Sequence, residues 1–110
     1  MCWTGPDTGL NVAKVPGFDR GVQLTNKITL NETSNSGPSA IFLQGNWYVS
    51  WRGGDNEVNV LQVVPATGQA TKLVSSELTI SDPSLFTDGN TLFVCWTGTD
   101  TGLNVAQVQF

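Results

Sequence analysis

Cys2-Trp-Thr-Gly-Pro-Asp-Thr-Gly-Leu-Asn-Val-Ala-Lys-Val15 recurs as Cys95-Trp-Thr-Gly-Thr-Asp-Thr-Gly-Leu-Asn-Val-Ala-Gln-Val108, with two of fourteen positions changed. A third copy stands between them, Ser50-Trp-Arg-Gly-Gly-Asp-Asn-Glu-Val-Asn-Val-Leu-Gln-Val63, and all three share Trp-x-Gly-x-Asp-x-x-[Leu/Val]-Asn-Val. The chain is a tandem repeat. Trp3, Trp51 and Trp96 mark its period, 48 residues and then 45. The 45-residue offset also carries Pro38-Ser39 onto Pro83-Ser84, Glu32 onto Glu77, Lys27 onto Lys72 and Val49 onto Val94. The longer first period is absorbed between Val15 and Lys27, in Pro16-Gly-Phe-Asp-Arg-Gly21. That segment reads as a surface turn, where insertions cost little.

Within one period, short apolar or alternating runs are separated by Gly, Asn, Asp and Pro, and no 3.6-residue apolar period persists over two turns. The expectation is all-β. In the central copy, strand A is read over 39–44, a turn at Gly45-Asn46, strand B over 47–52 and a turn over Gly53-Gly-Asp-Asn56. Strand C follows over 58–64, then a turn at Pro65-Ala-Thr-Gly68 and strand D over 70–75. Four antiparallel strands in about 45 residues match one blade of a β-propeller. The same map places strands near 1–5, 10–15, 22–30, 83–87, 91–97 and 103–109. Residues 1–30 then form a partial blade (end of B, then C and D), 31–78 a complete blade, and 79–110 a partial blade (A, B, C) completed by a neighbouring chain.

About two blades per chain fall short of the four to eight that close a ring. Closure by homo-oligomerisation through a heterologous interface is the consequence, and a trimer with six blades is the form favoured. The duplicated ends compete for one B/C slot in the shared blade. Loop-closure entropy favours residues 95–108, which continue directly from their own strands A and B, so residues 1–5 are expected to be frayed or swapped, with Cys2 more reactive than Cys95. Such redundancy also fits a fragment of a longer array or an engineered self-assembling chain.

Composition narrows the partners. Net charge is −4, and five basic residues are scattered singly. Nucleic acid and an anionic membrane surface are therefore disfavoured. No apolar run approaches the ~20 residues of a spanning helix, and no secretory leader is legible, so a soluble chain is expected and its compartment is left open. Cys2 and Cys95 occupy equivalent repeat positions 93 residues apart, which argues against an intrachain disulfide and for small buried thiols. No histidine and no Cys-x-x-Cys are present, so neither a metal nor another cofactor is expected.

The blade length, strand pattern and repetition resemble those of the β-propeller lectins built from short tandem blades, including the tachylectin-like group and the two-blade lectins that trimerise. That resemblance covers the whole chain and implies multivalent, non-enzymatic glycan binding in or between blades. The Asp-box of sialidase-like propellers, Ser-x-Asp-x-Gly-x-x-Trp, is absent.

In such an architecture the B–C turns and the D-to-A connections emerge together. They would gather Trp51, Arg52, Asp55 and Asn59 with Glu77, and Trp96, Asp100 and Asn104 in the next copy, with Glu32 in the first D-to-A connection. Aromatic faces, carboxylates and amides are the mixture a sugar requires. Each also has a structural reading: the tryptophans as packing between sheets, the aspartates Asp7, Asp55 and Asp100 as Asx caps of Gly-rich turns, and Asn11, Asn59 and Asn104, at the start of strand C, as bonds across to the next blade. Arg52 makes the central copy alone cationic. One carboxylate per turn is too few for calcium. Two arginines, one tyrosine and no histidine leave little for an enzyme.

Overall fold

The structure, a computed structural model, describes residues 2–6, 9–14, 25–34 and 37–110, and for residues 12, 14 and 25–33 the backbone alone. Pro16–Gly21 and Asp7 lie outside the described residues. Among the described residues ten strands follow one another: β1 (Cys2–Thr4), β2 (Gly9–Lys14), β3 (Thr25–Thr33), β4 (Ser39–Leu43), β5 (Asn46–Arg52), β6 (Glu57–Val63), β7 (Ala70–Leu78), β8 (Ser84–Thr87), β9 (Leu92–Thr97) and β10 (Leu103–Val108). No helix occurs among the described residues. The protein is all-β, with three antiparallel sheets ordered β1-β2-β3, β4-β5-β6-β7 and β8-β9-β10.

Each sheet is a meander of sequence neighbours, built from β-branched and aromatic residues broken by turn formers. The β4–β5 hairpin turns at Gln44 (φ 51°) and Gly45 (φ 86°), between the Leu43–Asn46 and Phe42–Trp47 pairs and the loop. Two consecutive positive φ values fit a tight primed turn. This turn sits one residue earlier than the Gly45-Asn46 reading. Strand β7 extends to Leu78 and β3 to Thr33, so Glu77 and Glu32 stand on strands rather than in the connections where the sequence placed them. Residues 2–4 are not frayed in the single chain: Cys2 pairs with Val12, Trp3 with Asn11 and Thr4 with Leu10.

Cross-strand registers define two faces per sheet, because directly opposed residues point the same way. In the central sheet Trp47, Val49 and Trp51 of β5 oppose Val63, Leu61 and Asn59 of β6 and share the tryptophan face. Tyr48, Ser50 and Arg52 oppose Gln62, Val60 and Val58 on the other. Both faces are covered. Val49, Trp51, Leu61 and Val63 pack with Leu10 of the first sheet, and Cys2 and Trp47 join them. On the opposite side Val58 and Val60 pack with Leu85, Leu92, Val94 and Trp96 of the third sheet, together with Ile41, Leu43 and Tyr48. Trp96 is the repeat equivalent of Trp51. Each tryptophan face therefore lies on the opposite face of the preceding sheet, and the two cores are two instances of one interface. Val49, Trp51 and Val63 are at most 1% exposed, and burial of this kind contributes about 1.5–3 kcal/mol per fully buried side chain.

Candidate functional site

The shared motif builds the β5–β6 and β9–β10 turns by the same hydrogen bonds. The Gly53 N–H donates to the Glu57 carbonyl (3.0 Å) and the Asn56 N–H to the Gly53 carbonyl (2.9 Å). The Glu57 N–H donates to Asp55 Oδ1 (3.2 Å), and Asn59 Nδ2 donates to the Glu57 carbonyl (3.0 Å). In the last copy the Gly98 N–H reaches the Gly102 carbonyl and the Thr101 N–H the Gly98 carbonyl, both at 2.9 Å. The Gly102 N–H donates to Asp100 Oδ1 (3.0 Å) and Asn104 Nδ2 to the Gly102 carbonyl (3.1 Å). The first copy repeats the pattern: the Gly5 N–H to the Gly9 carbonyl at 2.8 Å and Asn11 Nδ2 to the same oxygen at 3.1 Å. Asn56 and Thr101 both take φ 66°, the left-handed corner that closes each turn.

Gly53 is required by crowding. A Cβ built there would stand 2.6 Å from Asn59 Nδ2 and 2.8 Å from Asp55 Oδ1, and one at Gly98 2.9 Å from Asn104 Nδ2 and 3.1 Å from Asp100 Oδ1. Asp and Asn converge on the space a side chain would fill.

Asp55, Asn59, Asp100 and Asn104 are thus brought together within their turns and engage the backbone of those turns. Trp51 and Trp96, the rings the sequence offered as sugar platforms, are 1% and 8% exposed and belong to the two cores. Lys72 Nζ sits 5.7 Å from the Trp51 ring centroid. Arg52 points to the other face, where Nη1 donates to the Ile80 carbonyl at 3.3 Å. Its Nε is buried with no hydrogen-bond partner. Glu77 is exposed on β7, beside Leu78, which pairs with Glu57. Of Glu32 the structure describes the backbone alone, in β3. The Glu57 carboxyl is held above the usual carboxylate range, first by loss of hydration and then by the charge and hydrogen bond of Asp55.

At the opposite end of the molecule, sequence reasoning missed a cleft of about 180 Å³ between the central and third sheets. Leu43, Leu92 and Val108 line its apolar part, and Gln44, Asn90 and Thr91 supply amides and a hydroxyl, whereas Gln107, opposed to Phe93, lies on the other face of the third sheet. Tyr48 and Phe110 also line it, their rings 5.7 Å apart and inclined at 48°. Gln62 Nε2 donates to the Tyr48 hydroxyl at 3.0 Å. Its residues come from two hairpin turns, four strands and Phe110 beyond β10, so no local motif announces it.

No protein-family model matches the chain, and no curated protein matches it. Among the described residues no three His, Cys, Asp or Glu side chains converge on a metal position, and no helix is long and apolar enough to cross a membrane. Cys2 and Cys95 are free thiols.

Proposed function

We propose that the chain is a non-enzymatic, multivalent carbohydrate-binding module of β-propeller type, in which three identical chains close a ring of six blades. The observation that supports sugar binding is the cleft between the central and third sheets. Two aromatic rings and three amide or hydroxyl side chains around an apolar floor match a saccharide, whose C–H faces pack on rings while its hydroxyls take hydrogen bonds. This places the site at the end of the sheets opposite the Trp-x-Gly-x-Asp turns. Trp51, Asp55, Asn59, Trp96, Asp100 and Asn104 then act as scaffold, and Arg52 and Glu77 do not line the cleft. The proposal assigns no catalytic step and no cofactor.

A glycan array probed with the assembled protein and with the Asn90→Ala variant tests the reading. Asn90 is exposed, so the variant keeps the fold and loses binding. No binding to any glycan by the parent chain removes the sugar reading. A second reading, a self-assembling scaffold without a ligand, is favoured by the motif's polar side chains bonding to their own turns. It is the reading that survives an empty array.

A further inference from the structure

The third sheet presents an apolar face that its repeat equivalents do not. Leu103 is 85% and Val105 62% exposed, whereas Val58 and Val60, 45 residues earlier, are 3% and 5% exposed. Phe86 and Phe93 stack on the same face with centroids 5.1 Å apart, and Cys95 lies between them and Leu103, in register with Ser84 and Val105. In the central sheet the equivalent residues Ile41, Tyr48, Val58 and Val60 are all packed against a tryptophan face. In the first sheet the equivalents of Cys95 and Leu103 are Cys2 and Leu10, identical residues in a nearly identical stretch. Leu10 is fully buried, and both pack on the Val49–Trp51 surface of the central sheet. The molecule therefore already contains a seat fitted to this sequence.

The geometry points to a second copy of the chain as the partner of this face: the β9–β10 hairpin of one chain takes the place of β1–β2 in another, seating its Cys95 and Leu103 on that chain's Val49, Trp51, Leu61 and Val63. The interface rests on the reading of a ring assembled from identical chains and extends the internal one without new chemistry. Backbone pairing supports it equally. β2 pairs with β3 through Leu10–Leu30, Asn11–Thr29 and Val12–Ile28, and β10, whose sheet ends at it, has the same residues Leu103-Asn-Val105 to offer in that register. The exchange completes a four-stranded sheet β8-β9-β10-β3 with the order of the central one. The incoming hairpin is also the larger one. β1 and β2 share three residue pairs and β9 and β10 share six, with β8 adding four more. Those pairs are kept in either state, so β10 arrives on a preformed three-stranded sheet, whereas β1–β2 alone is a two-stranded hairpin of marginal stability.

The two thiols report the exchange. In the single chain Cys2 packs against the first core and burial raises its pKa, the N-terminal ammonium opposing this more weakly. Cys95 stands on the open face. Labelling the full chain with a maleimide at nanomolar and at high micromolar concentration, with sedimentation velocity alongside, is expected to show Cys95 reacting faster in the monomer. In the assembly the order inverts, with Cys95 protected at least tenfold and Cys2 released. Leu103→Asp/Val105→Asp, at positions exposed in the single chain, is expected to keep the β circular-dichroism spectrum and remain monomeric. A chain that stays monomeric overturns the proposal. So does an assembly in which Cys95 remains the faster thiol or which the double variant still forms; that result leaves the ring reading standing with a different interface. Inversion of the thiols with an empty glycan array sustains the exchange and removes the sugar reading alone.

Discussion

A methyl group added at Gly53 would stand within 3 Å of both Asn59 Nδ2 and Asp55 Oδ1, so Gly, Asp and Asn of the repeat motif form a single packing unit. The consequence is non-additivity. Gly53→Ala should destabilise by about 1–3 kcal/mol through overpacking, and distinctly less in an Asn59→Ala background, where the nearer obstacle is gone. A urea double-mutant cycle measures the difference, and equal costs in both backgrounds would refute the crowding account. Trp51→Ala should cost about 3–5 kcal/mol, because its ring is buried in the first core; a near-silent urea midpoint would return Trp51 to the surface. The aspartate caps were legible in the sequence, since an Asx turn is written in four neighbouring residues, whereas the asparagines, expected to bond across to the next blade, donate to the carbonyl two residues earlier in their own turns. Which role the tryptophans played was not legible, because burial depends on the sheet that lies across them.

Most strands of the repeat could be read to within one or two residues, because turn formers bracket runs that alternate with period two. Two departures have local causes. The positive φ at Gln44 moves the β4–β5 turn back by one position, and nothing about a glutamine forecasts it. The register shift between Glu57 and Asn59 where β6 meets β7, matched by one between Gly9 and Leu10 where β2 meets β3, accompanies the longer fourth strand and carries Glu77 out of the connection. The β8–β9 turn depends on Asp88, whose Oδ1 accepts the Asn90 N–H at 3.0 Å and the Thr91 N–H at 2.8 Å. These bonds hold its carboxyl below the usual aspartate range, the Asn90 bond first. A depressed folded pKa contributes stability that is present above the unfolded value near pH 4 and lost as pH falls through the folded one. Asp88→Asn keeps an acceptor and loses the charge. Its urea midpoint should lie below that of the parent at pH 7, with the gap closing toward pH 2–3; a gap independent of pH would assign the effect to shape instead of charge.

The chain has a Cα radius of gyration of 13.9 Å, close to the roughly 13 Å of a compact domain of this length. It is compact alone and still leaves Leu103 and Val105 in water. The sequence announced redundancy between residues 2–15 and 95–108, but not which faces the two copies would cover, since that follows from how the sheets stack. In the proposed exchange, their competition sets the association constant. Tethered to β3 in the same chain, β1–β2 holds the seat with the advantage of effective concentration, on the order of millimolar for a short connection. The β9–β10 hairpin of another copy must exceed that advantage through its pairing with β3 and the burial of its apolar face. Removing the competitor should therefore strengthen assembly. Deleting residues 1–14 is expected to lower the concentration at which half the chains are assembled by tenfold or more in sedimentation equilibrium. The melting temperature of the truncated chain should rise with protein concentration, since partners bind the folded state alone. A truncated chain that keeps its β spectrum yet sediments as a monomer at every concentration would mean that β1–β2 belongs to the interface, and that assembly proceeds by docking whole sheets rather than by exchanging hairpins.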